Sequence, residues 1–400
     1  MSKTFDFQIL RRFPDLEADN LVAVDATDRL VLAEAGATIE AADPGRVVVV
    51  GDRYGAMTLG AIALHSAQDV RVHQDPITGE QALAHNAIRA ELGAIRAEVS
   101  AIRAEFGATG IGLAGGYRQL PMAAELFSGA TVVLGQLPKS LDALREIAQL
   151  AAAHGDVGVT VFLGGRVKHM THTMNDVLTD SFADVRASLA KQKSRVLVAG
   201  GPLPTVGLGG ATAYPLRQHH LDLDLWVCAH GAAFAGTKLD LGTRFLLEFL
   251  DRMHPAASTA VDLGCGTGVI AAALARARPN LTVIATDQSA AAVSSAAATM
   301  AANWLSERVQ VLRDDAMSTL PDGSVDLILC NPPFHLGTSV HAGAALRLFD
   351  AAARVLAPGG QLWTVFNSHL AHEGALNRAV GPTRVMGRNA KFTVTASTRQ

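Results

Sequence analysis

Apolar positions in this 400-residue chain alternate between two patterns: short unbroken runs of β-branched and aliphatic residues, and longer stretches where alanine and leucine recur at helical spacing. Val47-Val48-Val49-Val50 is a run of the first kind. Gly51-Asp52-Arg53-Tyr54-Gly55 and an Ala/Leu-rich helix over 56–66 follow it, then a second strand over 70–73 that leads to Asp75. A third run over 131–134 ends in Gly135-Gln136-Leu137-Pro138-Lys139-Ser140. The second half repeats the order: a strand over 259–263, the loop Gly264-Cys265-Gly266-Thr267-Gly268, a helix to about residue 278, strands over 281–286, 309–312 and 325–330, and then Asn331-Pro332-Pro333-Phe334. Runs apolar on both faces, with helices between them, predict parallel sheets of the α/β class. The length suits two such domains.

Spacing supports an internal duplication. Gly51 to Asp75 is 24 positions and Gly264 to Asp287 is 23, while Gly51 to Gln136 is 85 and Gly264 to Asn331 is 67. The excess of 18 is close to the 21 residues of a block, Ala87 to Gly107, in which Ala-Ile-Arg-Ala-Glu recurs every seven positions. Ile88, Ile95 and Ile102 alternate with Leu92, Val99 and Phe106 in steps of four and three, a seam on one helical face. The block reads as an insertion into an older repeat, a duplicated helix lying on its own domain; an arm for dimerisation or RNA contact is the alternative. Glycine and proline gather at 200–210. The expected organisation is a first domain over 1–200 with its insert at 87–107, a linker over 201–216, and a second domain over 217–400.

Composition narrows the setting. A net charge of −3 and a pI near 6.5 give no global basic signature, so any nucleic-acid contact must be local. Cys228, Cys265 and Cys330 have neither metal-ligand nor disulfide spacing, and no metal is expected. With no signal-like or membrane-spanning run, a cytoplasmic protein is expected.

Candidate chemistry lies at the carboxyl ends of the second-half strands, where open α/β sheets bind ligands. Asp262 precedes Gly264, Gly266 and Gly268, which with Cys265 form a loop whose alternate glycines let backbone N–H groups approach a ligand. The third glycine comes one position too early for a dinucleotide fingerprint, and the loop suits S-adenosylmethionine instead. Asp287 ends the next strand, placed for the ribose hydroxyls, and Asp315 with Ala316 ends the third, placed for adenine. At the fourth strand end, two prolines fix φ and hold Asn331 extended. The Asn331 amide and the Pro332 carbonyl then offer two rigid acceptors to an amino group, and Phe334 offers a face for stacking a base. In the first half, Asp52, Arg53 and Tyr54 fill the equivalent loop, which reads as a site that has lost its cofactor. Beyond Asn377 the chain carries Arg378, Arg384, Arg388, Lys391 and Arg399 without an acid, a local candidate for RNA backbone contact.

His230 to Arg244 (HGAAFAGTKLDLGTR), Asp262 to Gly268 (DLGCGTG), Asn331 to His335 (NPPFH), Leu362 to Leu370 and Lys391-Phe392 together resemble the bacterial ribosomal RNA guanine-N2 methyltransferases. That family is built from two tandem class I, Rossmann-like methyltransferase domains, the N-terminal one degenerate. The resemblance implies S-adenosylmethionine as cofactor, Lys238 and Asp240 among the residues that hold it, Asn331, Pro332 and Phe334 as catalytic residues, and a guanine base taken from its stack into the pocket. Pro333, His335, Arg384, Arg388 and Lys391 would meet the RNA, which comes as ribosomal RNA or a ribosomal subunit. A monomer is expected, with the heptad helix as the route to a dimer. An adenine-N6 or protein-glutamine acceptor, and a non-catalytic RNA-binding assembly factor, are the competing readings.

Overall fold

A computed structural model describes residues 4–18, 21–102, 115–204, 213–332, 339–370 and 372–400. The chain divides into two compact units, Met1–Thr212 and Ala213–Gln400.

In the first unit the strands are β1 (Val47–Val50), β2 (Val70–His73), β3 (Tyr117–Gln119), β4 (Val132–Gln136), β5 (Thr160–Arg166), β6 (Phe182–Ala187) and β7 (Ser194–Pro202). They form one sheet in the order β3-β2-β1-β4-β5-β7-β6, with β1 to β5 parallel and β7 antiparallel to β5 and β6. The four valines of β1 explain the layering. Val47 and Val49 join the apolar cluster on one face while Val48 and Val50 join that on the other, so a continuous β-branched run buries both sides of the sheet.

The second unit opens with a hairpin, β8 (Leu216–His220) and β9 (Leu225–Ala229), then repeats the plan with β10 (Thr259–Leu263), β11 (Thr282–Asp287), β12 (Val309–Arg313), β13 (Val325–Cys330), β14 (Leu356–Asn367), β15 (Thr383–Arg388) and β16 (Phe392–Thr398). Their order is β12-β11-β10-β13-β14-β16-β15, the first sheet's order strand for strand. In both units the strand order reverses beside the first strand. Leu263 of β10 is level with Cys330 of β13, as Val50 of β1 is level with Gly135 of β4. Gly264 and Asn331 therefore leave the sheet side by side, at the crevice where such sheets take ligands.

Two expectations need correction. The Gly51–Asp75 comparison is one residue out: the partner of Asp287 is Gln74, 23 positions from Gly51 as Asp287 is from Gly264. Backbone geometry confirms this register, because Arg53 N–H donates to Gln74 Oε1 at 3.0 Å where Gly266 N–H donates to Asp287 Oδ2 at 3.1 Å. The heptad block does begin in a helix, Ile77–Ile102, but its first seam residues do not lie on the domain. Ile88 and Leu92 are 51% and 55% exposed, whereas Leu83, Ala87 and Ala90 are buried. Small alanines let the helix pack close, which turns the isoleucine outward. Phe106 and Gly107 lie outside the described residues.

The hairpin was not legible in the apolar pattern, and a polar stripe fixes it. Ser295, Thr299 and Asn303 recur every fourth position on the helix Ala290–Ala302 and at its C-cap. Their side chains accept from the backbone N–H groups of His230, Cys228 and Trp226, at 2.9 to 3.0 Å. Asn303 also donates to the Trp226 carbonyl at 2.7 Å, so the open edge of β9 is hydrogen-bonded along its length. No helix among the described residues is long and apolar enough to cross a membrane.

Asn303→Ala is expected to leave both backbone groups of Trp226 unpaired and to cost about 1–3 kcal/mol, seen as a lower urea midpoint for the full chain.

Candidate active site

The second-unit loop is shaped by glycine where shape matters. Gly264, Gly266 and Gly268 adopt φ of 74°, 52° and 78°, a region that side chains disfavour. A Cβ at Gly264 or Gly266 would meet nothing within 4 Å, so these two border open space into which a ligand can come against backbone. At Gly268 it would lie 2.9 Å from Met300 and 3.0 Å from Ala296, so this glycine serves helix packing. Asp287 turns both oxygens to backbone, accepting from Gly266 N–H and from Ser289 N–H at 2.9 Å, which fixes the carboxylate at the loop's edge.

Asp262 lies beneath this loop and is fully buried. Its Oδ2 accepts from Ala271 N–H at 3.0 Å, at the start of the helix Val269–Ala277. Its Oδ1 has no partner among the described residues. Burial, with a smaller push from the Asp287 carboxylate, raises its pKa to about 7. An orphaned acceptor beside a second carboxylate, under a glycine cradle, fits a cationic ligand with hydrogen-bond donors, as S-adenosylmethionine is.

Asn331 is held by a contact that motif spacing did not reveal. Its Nδ2 donates to Asp240 Oδ2 at 2.9 Å and to Thr243 Oγ1 at 3.0 Å. The carboxylate only accepts, and this settles which way the amide faces. Asp240 also caps the helix Leu241–Leu247 through Thr243 N–H. With both N–H bonds engaged, Asn331 Oδ1 is buried and without a partner among the described residues, an acceptor aimed and unused. Asp240 thus positions the strand-end amide. Gly242 leaves room for this, since a Cβ there would stand 3.0 Å from Asp240 Oδ2 and 3.3 Å from the Phe392 ring.

The remaining candidates divide. Lys238 lies in the turn before Asp240, its N–H donating to Ala235 O at 3.2 Å. Cys265 is buried in the glycine loop, and burial lifts its thiol pKa. Pro332 is buried next to Asn331, while Pro333, Phe334 and His335 lie outside the described residues. Asp315 pairs with Arg347, and Ala316 has a left-handed φ of 52°. Asp314 is turned inward, accepting from Ser318 and Thr319. Asn367 of β14 is level with Phe392, which puts Lys391 and Arg388 at the same sheet edge as Asn331, two and three strands along. Lys391 and Arg384 are exposed; Arg388 is tied to Glu373 at 2.6 Å. Arg399, grouped with them on charge, instead donates to the carbonyls of Arg354 and Leu356 and closes the sheet's other end. Among the described residues no cluster of His, Cys, Asp and Glu could hold a metal ion.

Comparison with known proteins places this geometry. Residues 224–396 match the methyltransferase small domain, and residues 1–202 match the RLMG N-terminal domain. The "Ribosomal RNA large subunit methyltransferase G" of Streptomyces coelicolor is 33% identical, with all of both chains covered. That of Pseudomonas paraeruginosa is 33% identical over 96% of each chain. The chain belongs to the ribosomal RNA large subunit methyltransferase G family. Among solved structures, a T. thermophilus 16S rRNA N2 methyltransferase in complex with AdoMet and guanosine covers 94% of this chain and 92% of its own, with a TM-score of 0.68 at 18% identity, a likeness of fold. As a member of this family the chain is an S-adenosylmethionine-dependent methyltransferase of two Rossmann-like units.

Two measurements test the site. Asp240→Ala should release the Asn331 amide and lower the turnover rate roughly 10²-fold, as misplacement of a positioning group does, with a smaller effect on the KM for cofactor. For Asp262 the raised folded-state pKa means that the folded form holds a proton the unfolded form has lost. Its contribution to stability is present below about pH 4 and is lost as pH rises to about 7. Asp262→Asn should therefore gain stability relative to the parent chain as pH rises through that window without cofactor, measured by urea melts at successive pH values.

Proposed function

We propose that the second unit transfers the methyl group of S-adenosylmethionine to the exocyclic N2 amine of a guanine in large-subunit ribosomal RNA, and that the first unit positions the RNA without binding cofactor. The observation that carries the reading is the buried, unpartnered Asn331 Oδ1 at the strand end beside the glycine loop. The curated relatives' name supports the large-subunit substrate.

The reaction needs alignment above all. When bound, the cofactor supplies an electrophilic methyl group on a sulfonium. The guanine amine is conjugated with its ring and presents its lone pair poorly. Asn331 Oδ1 and the Pro332 carbonyl accept its two N–H bonds, which holds the nitrogen in place and turns its lone pair toward the glycine loop. Because Asp240 and Thr243 hold the Asn331 amide nitrogen, the acceptor needs no reorganisation when substrate arrives. No base is required before attack; the amine proton leaves after the new bond forms. Phe334 stacks on the extruded base, and Arg384 and Lys391 meet backbone phosphates.

In the first unit the same positions carry other chemistry. Arg53 takes a left-handed φ of 59° where Gly266 takes 52° in the second, so a side chain replaces the bare backbone at that position. Gln74 replaces the carboxylate of Asp287 and Gln136 replaces Asn331. Two of the carboxylates near this loop are buried and kept toward their neutral forms by burial, Asp52 with its pKa raised to about 7 and Asp28 to about 6.

Asn331→Ala is expected to reduce methyl transfer roughly 10²–10³-fold, the range seen when one preorganised polar group is removed, while affinity for S-adenosylmethionine stays close to that of the parent. Mass spectrometry of nucleosides from digested ribosomal RNA gives the readout, and N2-methylguanine formed at the parental rate by the variant would remove Asn331 from the mechanism.

A further inference from the structure

At the amino-terminal edge of the first sheet, away from the loop at Gly51, three arginines surround one cleft. Arg46 precedes β1, Arg71 is the second residue of β2, and Arg118 is the middle residue of β3. The cleft holds about 280 Å³ and is lined also by Gly45, Asp69, Leu120, Glu125 and Ser128. Arg71 and Arg118 are directly level on adjacent strands, a like-charge pair that costs stability unless something offsets it. Arg118 is spoken for: its Nε and Nη2 engage both oxygens of Asp69 at 2.6 and 3.0 Å. Arg46 Nη1 donates to the Gly129 carbonyl at 2.5 Å.

Arg71 is different. It is 5% exposed, and no carboxylate is bonded to it among the described residues. Its Nη1 is clamped by the carbonyls of Glu125 and Ser128 at 3.0 and 2.9 Å, while Nε and Nη2 are buried with no partner among the described residues. The clamp fixes the guanidinium plane and leaves the Nε/Nη2 edge, the two-pronged edge that matches an oxyanion, unused. Buried donors without acceptors are costly and rarely left so. The acids do not fill the role. Asp69 is committed to Arg118, and Glu125 is exposed on the rim.

We propose that this cleft binds a phosphate group on the free edge of Arg71, with Arg46 and Arg118 beside it. A volume at the small end of ligand cavities admits a phosphate with its ester flanks better than a whole purine nucleotide. The anion site stands on these contacts alone. That the phosphate is a phosphodiester of the ribosomal RNA backbone rests on the function proposed above, and it makes this edge one of the places where the first unit grips RNA.

The test uses the full chain, inorganic phosphate and a fragment of large-subunit ribosomal RNA as probes, and the variants Arg71→Met and Arg46→Gln. Phosphate should raise the melting temperature of the parent beyond what chloride does at equal ionic strength, and Arg71→Met should abolish this. RNA affinity should fall about five- to tenfold and its salt slope by about one phosphate's worth, with S-adenosylmethionine affinity and turnover at saturating RNA unchanged. Loss of the phosphate effect with RNA affinity intact would keep the anion site but overturn RNA as its source, in favour of a small phosphate ester. Parental behaviour of both variants toward both probes would overturn the site. If Arg71→Met does not fold, Arg46→Gln, whose side chain is only half-buried, decides the matter. Failure of the guanine reading would appear separately, as an absence of methylated nucleoside, which the phosphate melt does not measure.

Discussion

The structure turns on one contact, a carboxamide at the end of the fourth core strand donating to a carboxylate at the start of the helix that precedes the first. In the second unit it is Asn331 to Asp240; in the first it is Gln136 Nε2 to Asp28 Oδ1, at 2.6 Å. Its recurrence in both halves shows that its first use is architectural, because it ties the leading helix to the switch point of the sheet. In the function proposed above, catalysis makes a second use of it. A carboxylate can only accept, so the amide nitrogen is committed and the oxygen must face the other way. In the second unit that oxygen is buried beside the glycine loop with no partner among the described residues, and an arrangement needed for folding becomes a fixed acceptor.

The two loops show how little separates a cofactor cradle from a closed one. Both begin and end on glycines with positive φ, Gly51 and Gly55 against Gly264 and Gly268, and both place a left-handed residue in the middle. The turn imposes that conformation whatever the residue, as Arg53 demonstrates. At Gly266 the space beside the backbone is open. One position earlier, Asp52 sends its carboxylate inward to accept from Met57 and Thr58 N–H at 2.7 and 2.8 Å, which gives the first unit the helix cap that Asp262 provides from the strand in the second. The first unit therefore keeps the hydrogen-bonding that the fold needs and carries Arg53 where the second unit has bare backbone at Gly266.

The strand run Val47–Val50 was legible because burial on both faces favours an unbroken apolar run, and Val70–His73 was still read from its valines although Arg71 and His73 are buried within it. The glycine loop and Asn331 were legible because unusual backbone demands unusual residues. Asp240 and Thr243 as holders of Asn331 were not, since they are 91 and 88 positions away and read locally as a helix cap. The Ser295, Thr299 and Asn303 stripe escaped notice for the opposite reason: small polar residues on an alanine-rich helix look solvent-facing until a strand edge is laid against them. Charge misled in one respect, because the run of basic residues near the C-terminus holds both exposed side chains, Arg384 and Lys391, and a structural one, Arg399, which sequence composition counts alike.

The inserted heptads show why the duplication survived such different lengths. With Gln74 as the partner of Asp287, the halves agree in spacing from the first loop to the second strand end, and the whole excess of 18 residues falls between that point and Gln136. The crossover into β3 is 21 residues longer than its counterpart, 47 positions from Val72 to its level partner Gln119 against 26 from Ala285 to Val311, and the stretch on to Gln136 is three shorter than that to Asn331. The longer crossover is carried by the 26-residue helix Ile77–Ile102 where the second unit uses the 13-residue helix Ala290–Ala302. A helix longer than the strands it spans can extend without shifting any register, because the sheet senses only where the crossover leaves and returns. Its packed portion is marked by Leu83, Ala87 and Ala90, and the outward turn of Ile88 and Leu92 begins within the first repeat. At Ile88 and Leu92, the seam positions whose side chains are described, the seam is exposed. A sheet whose order is fixed strand by strand tolerated that growth at its edge while β1 and β4 stayed paired, Val47 to Val50 level with Val132, Val133, Leu134 and Gly135.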